Sequence, residues 1–292
     1  MSADTVSRFF AEDLGPANRD VSVLALGEAA HHRATGRVKA KADGILCGGF
    51  LVTRILREAE TRFAAMTAVP GTPIEVSGLL PDGSSLTPGT IIATLSGPTG
   101  ALLIAERTLL NLLQRLSGVS TLSRAFVDRI KGTDCRILDT RKTTPGLREL
   151  EKRAVRVGGG VNHRLGLYDM IMLKDNHVAA MGGDIVTAVE QSRRLLGPSL
   201  KIEVETSSLT QVQAAVKAKA DLIMLDNMSP AQLRECVVWV AGRVPLEASG
   251  GITLDTVRAV AESGVDYISV GALTHSAPAL DISMKISLTG KV

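Results

Sequence analysis

From residue 136 onward the sequence repeats one pattern: a short apolar run ending in a polar or charged residue, a longer connecting segment, then another such run. The runs are RILDT, MIMLKD, KIEVET, LIMLDN, PLEASGG and YISVGA, and LTQVQAAVKAKA and LDTVRAVAESG typify the helix-length segments between them. Strand alternating with helix predicts an α/β fold with a parallel sheet. The expected form is a (β/α) barrel. Six strands are readable against the eight of a full barrel, so the barrel is incomplete or uses strands that the pattern hides.

In a barrel the carboxyl ends of the strands converge on one mouth, so the strand ends form a list of candidates. They are Thr140, Arg141 and Lys142 after RILD, Lys174 after MIML, Glu205 in IEVE, Asp226 after LIML, Ser249, Gly250 and Gly251 after PLEA, and Gly271 after YISV. With His163 and Arg164, the cationic set at or near the rim becomes Arg141, Lys142, His163, Arg164 and Lys174. Arginine offers a planar fork and lysine a movable point charge, and both together fit a ligand with several anionic groups. Glu205 and Asp226 oppose them. Such carboxylates bind sugar hydroxyls, hold Mg²⁺ through water or stabilise positive charge on a reacting carbon; neutralising Lys142 and Lys174 within a structural network is the alternative.

Ser249-Gly250-Gly251 and Gly271 predict a phosphate cradle of backbone amides assisted by a helix N-terminus, with Val270 and Ala272 contributing backbone only. Glycines required by turn conformation alone are the competing explanation. His275 either touches that phosphate or caps the following turn. Glu203 and Glu247 lie close by with open roles. Arg148, Lys152, Arg153 and Arg156 fall at helical spacing among acids, the pattern of a solvated helix face. His31 and His32, in a polar helix-like stretch, are expected at the surface. No His/Cys/Asp set has the spacing of a tight transition-metal site, and no nucleophile elbow is present.

The first part of the chain has a different texture. Turn signals crowd TPIEVSGLLPDGSSLTPGTIIATLSGP, as in short antiparallel strands. Helical spacing then runs from Ala105 to Ile130, with Gly118 as a break or a close packing point. We expect a smaller N-terminal α+β domain over residues 1–116, a catalytic barrel over 117–276, and a tail, about 277–292, that returns to the N-terminal domain. Hydrophobic residues make up 45% of the 292, enough for a sizeable core. A net charge of +3 and 3% aromatics speak against a nucleic-acid partner. No run of about 18 apolar residues suggests a membrane span. Three widely spaced cysteines fit a reducing cytoplasm.

Taken in order, ERTLLNLLQRLSG, DTRKTTPGLRELEKRAVRVGGGVNHRLGLYDMIMLKDNHV, IEVET, LIMLDN, SGGI and VGALTHS resemble the motifs of the quinolinate phosphoribosyltransferase family, whose members are also called nicotinate-nucleotide pyrophosphorylases (carboxylating). The resemblance implies that quinolinate and phosphoribosyl pyrophosphate react, with Mg²⁺, to give nicotinate mononucleotide, pyrophosphate and carbon dioxide. It implies a homodimer with shared active sites, the arginine at Arg107 reaching the partner's site, and leaves further pairing of dimers open. It places Arg141, His163 and Arg164 around the pyridine dicarboxylate. Lys142, Lys174, Glu205 and Asp226 face the phosphoribosyl donor, and the SGG and VGA segments take its 5′-phosphate. A transferase acting on nicotinate or another heterocycle, or a phosphate-binding barrel without catalysis, are the alternatives.

Overall fold

The computed structural model describes residues 3–69 and 72–288. They form two compact units, one of the residues up to Thr121 together with those from Ala277 on, the other Leu122–Ser276.

In the first unit an antiparallel sheet has the order Ile282–Leu288, Arg33–Ala40, Ile91–Pro98, Glu75–Ser77. RATGRVKA alternates, so Ala34, Gly36, Val38 and Ala40 face the core. The helix-like stretch expected around GEAAHHRATG is therefore shorter than the sequence suggests. A 3₁₀ turn, Gly27–His31, yields to a strand at Arg33. His31 and His32 are exposed, as expected. The tail supplies the strand Ile282–Leu288, and its last residues, 289–292, lie outside the described residues. Helix Thr99–Arg129 runs through Gly118 without a break. A Cβ at Gly118 would sit 2.0 Å from the Pro278 carbonyl oxygen, so this glycine serves a close backbone approach.

In the second unit six parallel strands form one sheet, and each coincides with a run read from the sequence. Their order is Arg136–Leu138, Tyr267–Ser269, Leu246–Ser249, Leu222–Asp226, Ile202–Thr206, Ile171–Leu173. The first strand in the chain thus pairs with the last. Local signals start the helices between them. Asp184 accepts from the Thr187 amide at 2.8 Å ahead of Ile185–Leu196, and Ser229 and Gln232 form a capping box, with Pro230 in the first turn, ahead of Pro230–Val240. The edge strands Arg136–Leu138 and Ile171–Leu173 share no ladder among the described residues. Among the described residues a single parallel bridge, Leu138 to Val161, meets the outer edge of the first strand. No helix among the described residues is long and apolar enough to cross a membrane.

Candidate active site

The carboxyl ends of the six strands surround a cavity of about 640 Å³. Thr140, Arg141, Lys142, His163, Arg164, Lys174, Glu205, Asp226, Ser249, Gly250, Gly251, Val270, Gly271, Ala272 and His275 all line it. Arg107, on helix Thr99–Arg129 of the other unit, is exposed and is not among the lining residues.

Several lining residues were not on the strand-end list: Asp139, Met172, Met224, Glu247 and Ser269. Each stands two positions before a residue that was, namely Arg141, Lys174, Asp226, Ser249 and Gly271. Strand side chains two apart share a face, so a second layer beneath the rim follows from the first. In register Glu205 lies beside Met224, and Asp226 beside Ser249. Asn227, Ile252 and Thr253, just beyond strand ends, complete the lining.

At the rim the Lys174 ammonium pairs with Glu205 Oε2, the side chains being 45% and 17% exposed. Asp226 Oδ2 accepts from the Asn227 side chain at 2.7 Å. The backbone around Lys142 is held at both polar groups, its amide donating to Thr140 Oγ1 at 3.0 Å and its carbonyl accepting from Thr274 Oγ1 at 2.7 Å. Arg164 donates to the Met170 carbonyl at 3.1 Å, and so reaches from the chain after Val161 to the edge strand. Arg141 Nε is buried, with no hydrogen-bond partner among the described residues.

The glycines divide by reason. Gly250 and Gly251 have φ of +97° and +60°, where side chains are strained, and a Cβ at Gly250 would also lie 2.2 Å from Asn227 Oδ1. At Gly271 the constraint is space, because a Cβ would lie 3.0 Å from Lys142 Cδ and 3.1 Å from His275 Nε2. The helix expected directly after SGG instead begins at Val257, is five residues long, and follows a turn closed by the Thr253 amide on Thr256 Oγ1. Its first residue is thus six positions past Gly251 rather than directly after it.

Below the rim, His163, Glu203 and Glu247 bring their polar atoms within 4.8 Å of one another from three remote positions, a cluster that local spacing did not reveal. His163 Nε2 lies 3.0 Å from Glu203 Oε2 and 3.3 Å from Glu247 Oε2, and both carboxylates are fully buried. Burial opposes charge on His163, but the hydrogen bonds and charges of Glu203 and Glu247 outweigh it and lift the imidazole to about 10. Burial likewise raises Glu203, with Glu247 adding to it and His163 opposing. Nδ1, however, accepts the Arg164 amide at 2.7 Å, which suits a ring protonated on Nε2 alone. An imidazolium beside two carboxylates and a neutral ring beside one protonated carboxyl carry the same net charge, so the cluster keeps a shared proton in either description.

The helix Arg148–Val157 corrects the expectation of a solvated face. Arg153 and Arg156 are exposed, but Lys152 is 2% exposed, and its ammonium pairs with the fully buried Asp139. Glu151 is buried too, accepting from the Thr144 amide and hydroxyl at 3.0 and 2.8 Å.

Known proteins resemble this chain in both sequence and fold. Residues 20–117 match the N-terminal domain of quinolinate phosphoribosyl transferase and residues 119–285 its C-terminal domain. A probable nicotinate-nucleotide pyrophosphorylase (carboxylating) of Bacillus subtilis is 43% identical over 288 residues, covering 98% of this chain and 93% of the relative. The nicotinate-nucleotide pyrophosphorylase structure from Francisella tularensis superposes with a TM-score of 0.88 at 35% identity, covering 98% of each chain. That from Ehrlichia chaffeensis gives 0.89 at 30% identity, covering 98% of this chain and 99% of the other. By sequence across both matched domains, and by fold, the chain belongs to the quinolinate phosphoribosyltransferase family.

Proposed function

We propose that this chain transfers the phosphoribosyl group of phosphoribosyl pyrophosphate to quinolinate with loss of carbon dioxide, giving nicotinate mononucleotide and pyrophosphate, a step of NAD biosynthesis. The observation that carries this reading is the single cavity in which Arg141, Lys142, His163, Arg164 and Lys174 meet Glu205 and Asp226. Two anionic substrates need the cations. A ribosyl carbon that turns positive as its leaving group departs needs the acids.

Arg141, His163 and Arg164 surround the two ring carboxylates, the arginines donating to them while the His163 ring stays engaged with Glu203 and the Arg164 amide, and the buried Arg141 Nε, without a partner among the described residues, is a donor prepared for one carboxylate. Met172 and Met224 give the pyridine ring soft apolar contacts. The ring nitrogen is thereby oriented toward the anomeric carbon. The N–C bond forms as the bond to pyrophosphate oxygen breaks, and Lys142 and Lys174 take up the charge of the leaving group. Lys174 exchanges its Glu205 contact for pyrophosphate in doing so. The ring nitrogen is then quaternary and draws the electron pair left by departing carbon dioxide onto the adjacent carbon, which takes a proton. Ser249, Gly250, Gly251, Val270, Gly271, Ala272 and His275 seat the 5′-phosphate.

Glu205 and Asp226 are hard oxygen donors on adjacent strands, which fits Mg²⁺ held largely through water. When bound, the ion neutralises charge on the pyrophosphate. We further propose an opened (β/α) barrel for the catalytic unit, a homodimer in which the exposed Arg107 enters the partner's site, and a cytoplasmic location, which the three free cysteines favour.

The test is purified protein with quinolinate, the ribosyl donor and Mg²⁺, nicotinate running in parallel. Release of carbon dioxide and pyrophosphate is expected with quinolinate alone. No release above the enzyme-free control, or equal turnover of nicotinate, would overturn the assignment.

A further inference from the structure

Lys152 occupies a position where a charge is costly. It is 2% exposed and Asp139 is fully buried. Burial pushes Asp139 up and Lys152 down, against the charged forms of both. Buried ion pairs of this kind add little net stability over apolar residues of similar volume. The geometry supplies another reason for a lysine.

Its ammonium binds Asp139 Oδ1 and also donates to the His163 carbonyl at 3.0 Å. Asp139 directly precedes Thr140, Arg141 and Lys142, and His163 directly precedes Arg164. The same carboxylate accepts the His163 amide at 2.9 Å, and Asn162 donates both to Asp139 and to the Lys152 carbonyl, the latter at 2.8 Å. These two cation-bearing segments run side by side at the edge of the sheet, where a single parallel bridge among the described residues, Leu138 to Val161, joins them through two backbone hydrogen bonds, Val161 amide to Ile137 carbonyl at 2.8 Å and Asp139 amide to Val161 carbonyl at 3.2 Å. Beyond Asp139 and Val161, toward the cations, no ladder continues among the described residues. There the ammonium, with three donors, ties both segments to helix Arg148–Val157.

We infer that Lys152 is a positioning residue, setting the distance between Arg141 and the His163–Arg164 pair and so the fit to an acceptor with two neighbouring carboxylates. The inference rests on the proposed function for the identity of that acceptor. The Ser249–Gly251 and Gly271 loops lie on other strands and make none of these contacts. Lys152 therefore acts on the seat of the dicarboxylate and not on that of the 5′-phosphate.

Calorimetry on the full chain tests this with two probes, pyridine-2,3-dicarboxylate and ribose 5-phosphate. Lys152→Met alone leaves Asp139 buried without its cation and endangers folding, so the informative variant is Lys152→Met with Asp139→Asn, which removes both charges. Its affinity for the dicarboxylate should fall about ten-fold or more, as expected when binding groups lose registration, while ribose 5-phosphate binds as before. Lys152→Arg keeps a cation on Asp139 and should recover part of the loss. Should the double variant not fold, Lys152→Arg against the unaltered protein makes the same comparison, a selective weakening for the dicarboxylate being expected. Unchanged dicarboxylate affinity in a folded variant, or a parallel loss for both probes, would overturn the inference. Failure of the unaltered protein to bind the dicarboxylate would instead strike at the proposed function.

Discussion

Lys174 with Glu205, and Lys152 with Asp139, are the same kind of ion pair in opposite surroundings. The first has side chains 45% and 17% exposed and lines the cavity through both members; the second is 2% and 0% exposed. An exposed pair exchanges partners at little cost, because water screens and replaces each contact. A buried pair has no such freedom, since an ion left alone there has nothing to replace its partner. The mouth pair therefore suits groups that must release one another for a substrate, and the buried pair suits groups that must not move.

The contrast is broken most forcefully at the buried pair. Lys152→Met should cost about 3–5 kcal/mol of folding stability, the usual penalty for stranding one member of a buried pair. Denaturant unfolding measures it, and a loss comparable to that of a surface substitution would erase the distinction. Lys174→Met should do the reverse. We expect turnover to fall about a hundred-fold or more, in line with removal of one preorganised charge-stabilising group. The unfolding midpoint should scarcely move, because an exposed pair contributes at most about 1 kcal/mol. A large destabilisation by this substitution would mean that the mouth pair is structural.

Much of this contrast was legible in the sequence, and the part that was not has a definite cause. Six strand ends could be read one by one because a parallel α/β pattern fixes which end bears function, and each of those residues lines the cavity. The layer below was available from the same rule by stepping back two positions, which finds Asp139, Met172, Met224, Glu247 and Ser269. Lys152 was beyond reach. Charged residues at helical spacing default to solvent, and the reason this one turns inward is Asp139, thirteen residues away across a loop. Likewise, nothing local to His163 announces Glu203 and Glu247, forty residues and more downstream. Where the sheet has its edges is a property of pairing between strands, and no single strand encodes it.

The His163 cluster extends the comparison to pH. His163, Glu203 and Glu247 hold one proton between them, and with the imidazole lifted to about 10 that shared proton persists below this value and is lost as pH rises through it. Binding of a dianionic acceptor should therefore stay level across the range where an ordinary histidine titrates, near 6.5, and weaken only toward about 10. Calorimetric affinity for pyridine-2,3-dicarboxylate from pH 5.5 to about 9 would show it. A step of several-fold centred near 6.5 would mean that the cluster does not hold its proton.

The smallest effect is expected one turn beyond Lys152 on the same helix. Arg156 belongs to the same run of basic residues but is exposed. It stands in the last turn, where a cation interacts favourably with the helix dipole, a contribution of a few tenths of a kcal/mol that salt screens. Arg156→Ala should thus change stability by no more than about 0.5 kcal/mol and leave dicarboxylate affinity untouched. Since Arg156 and Lys152 are four apart, a shared helix-wide charge effect would make the two substitutions resemble each other. Only a specific contact to Asp139 and His163 separates them, so near-silence at Arg156 beside a large loss at Lys152 assigns the effect to that contact.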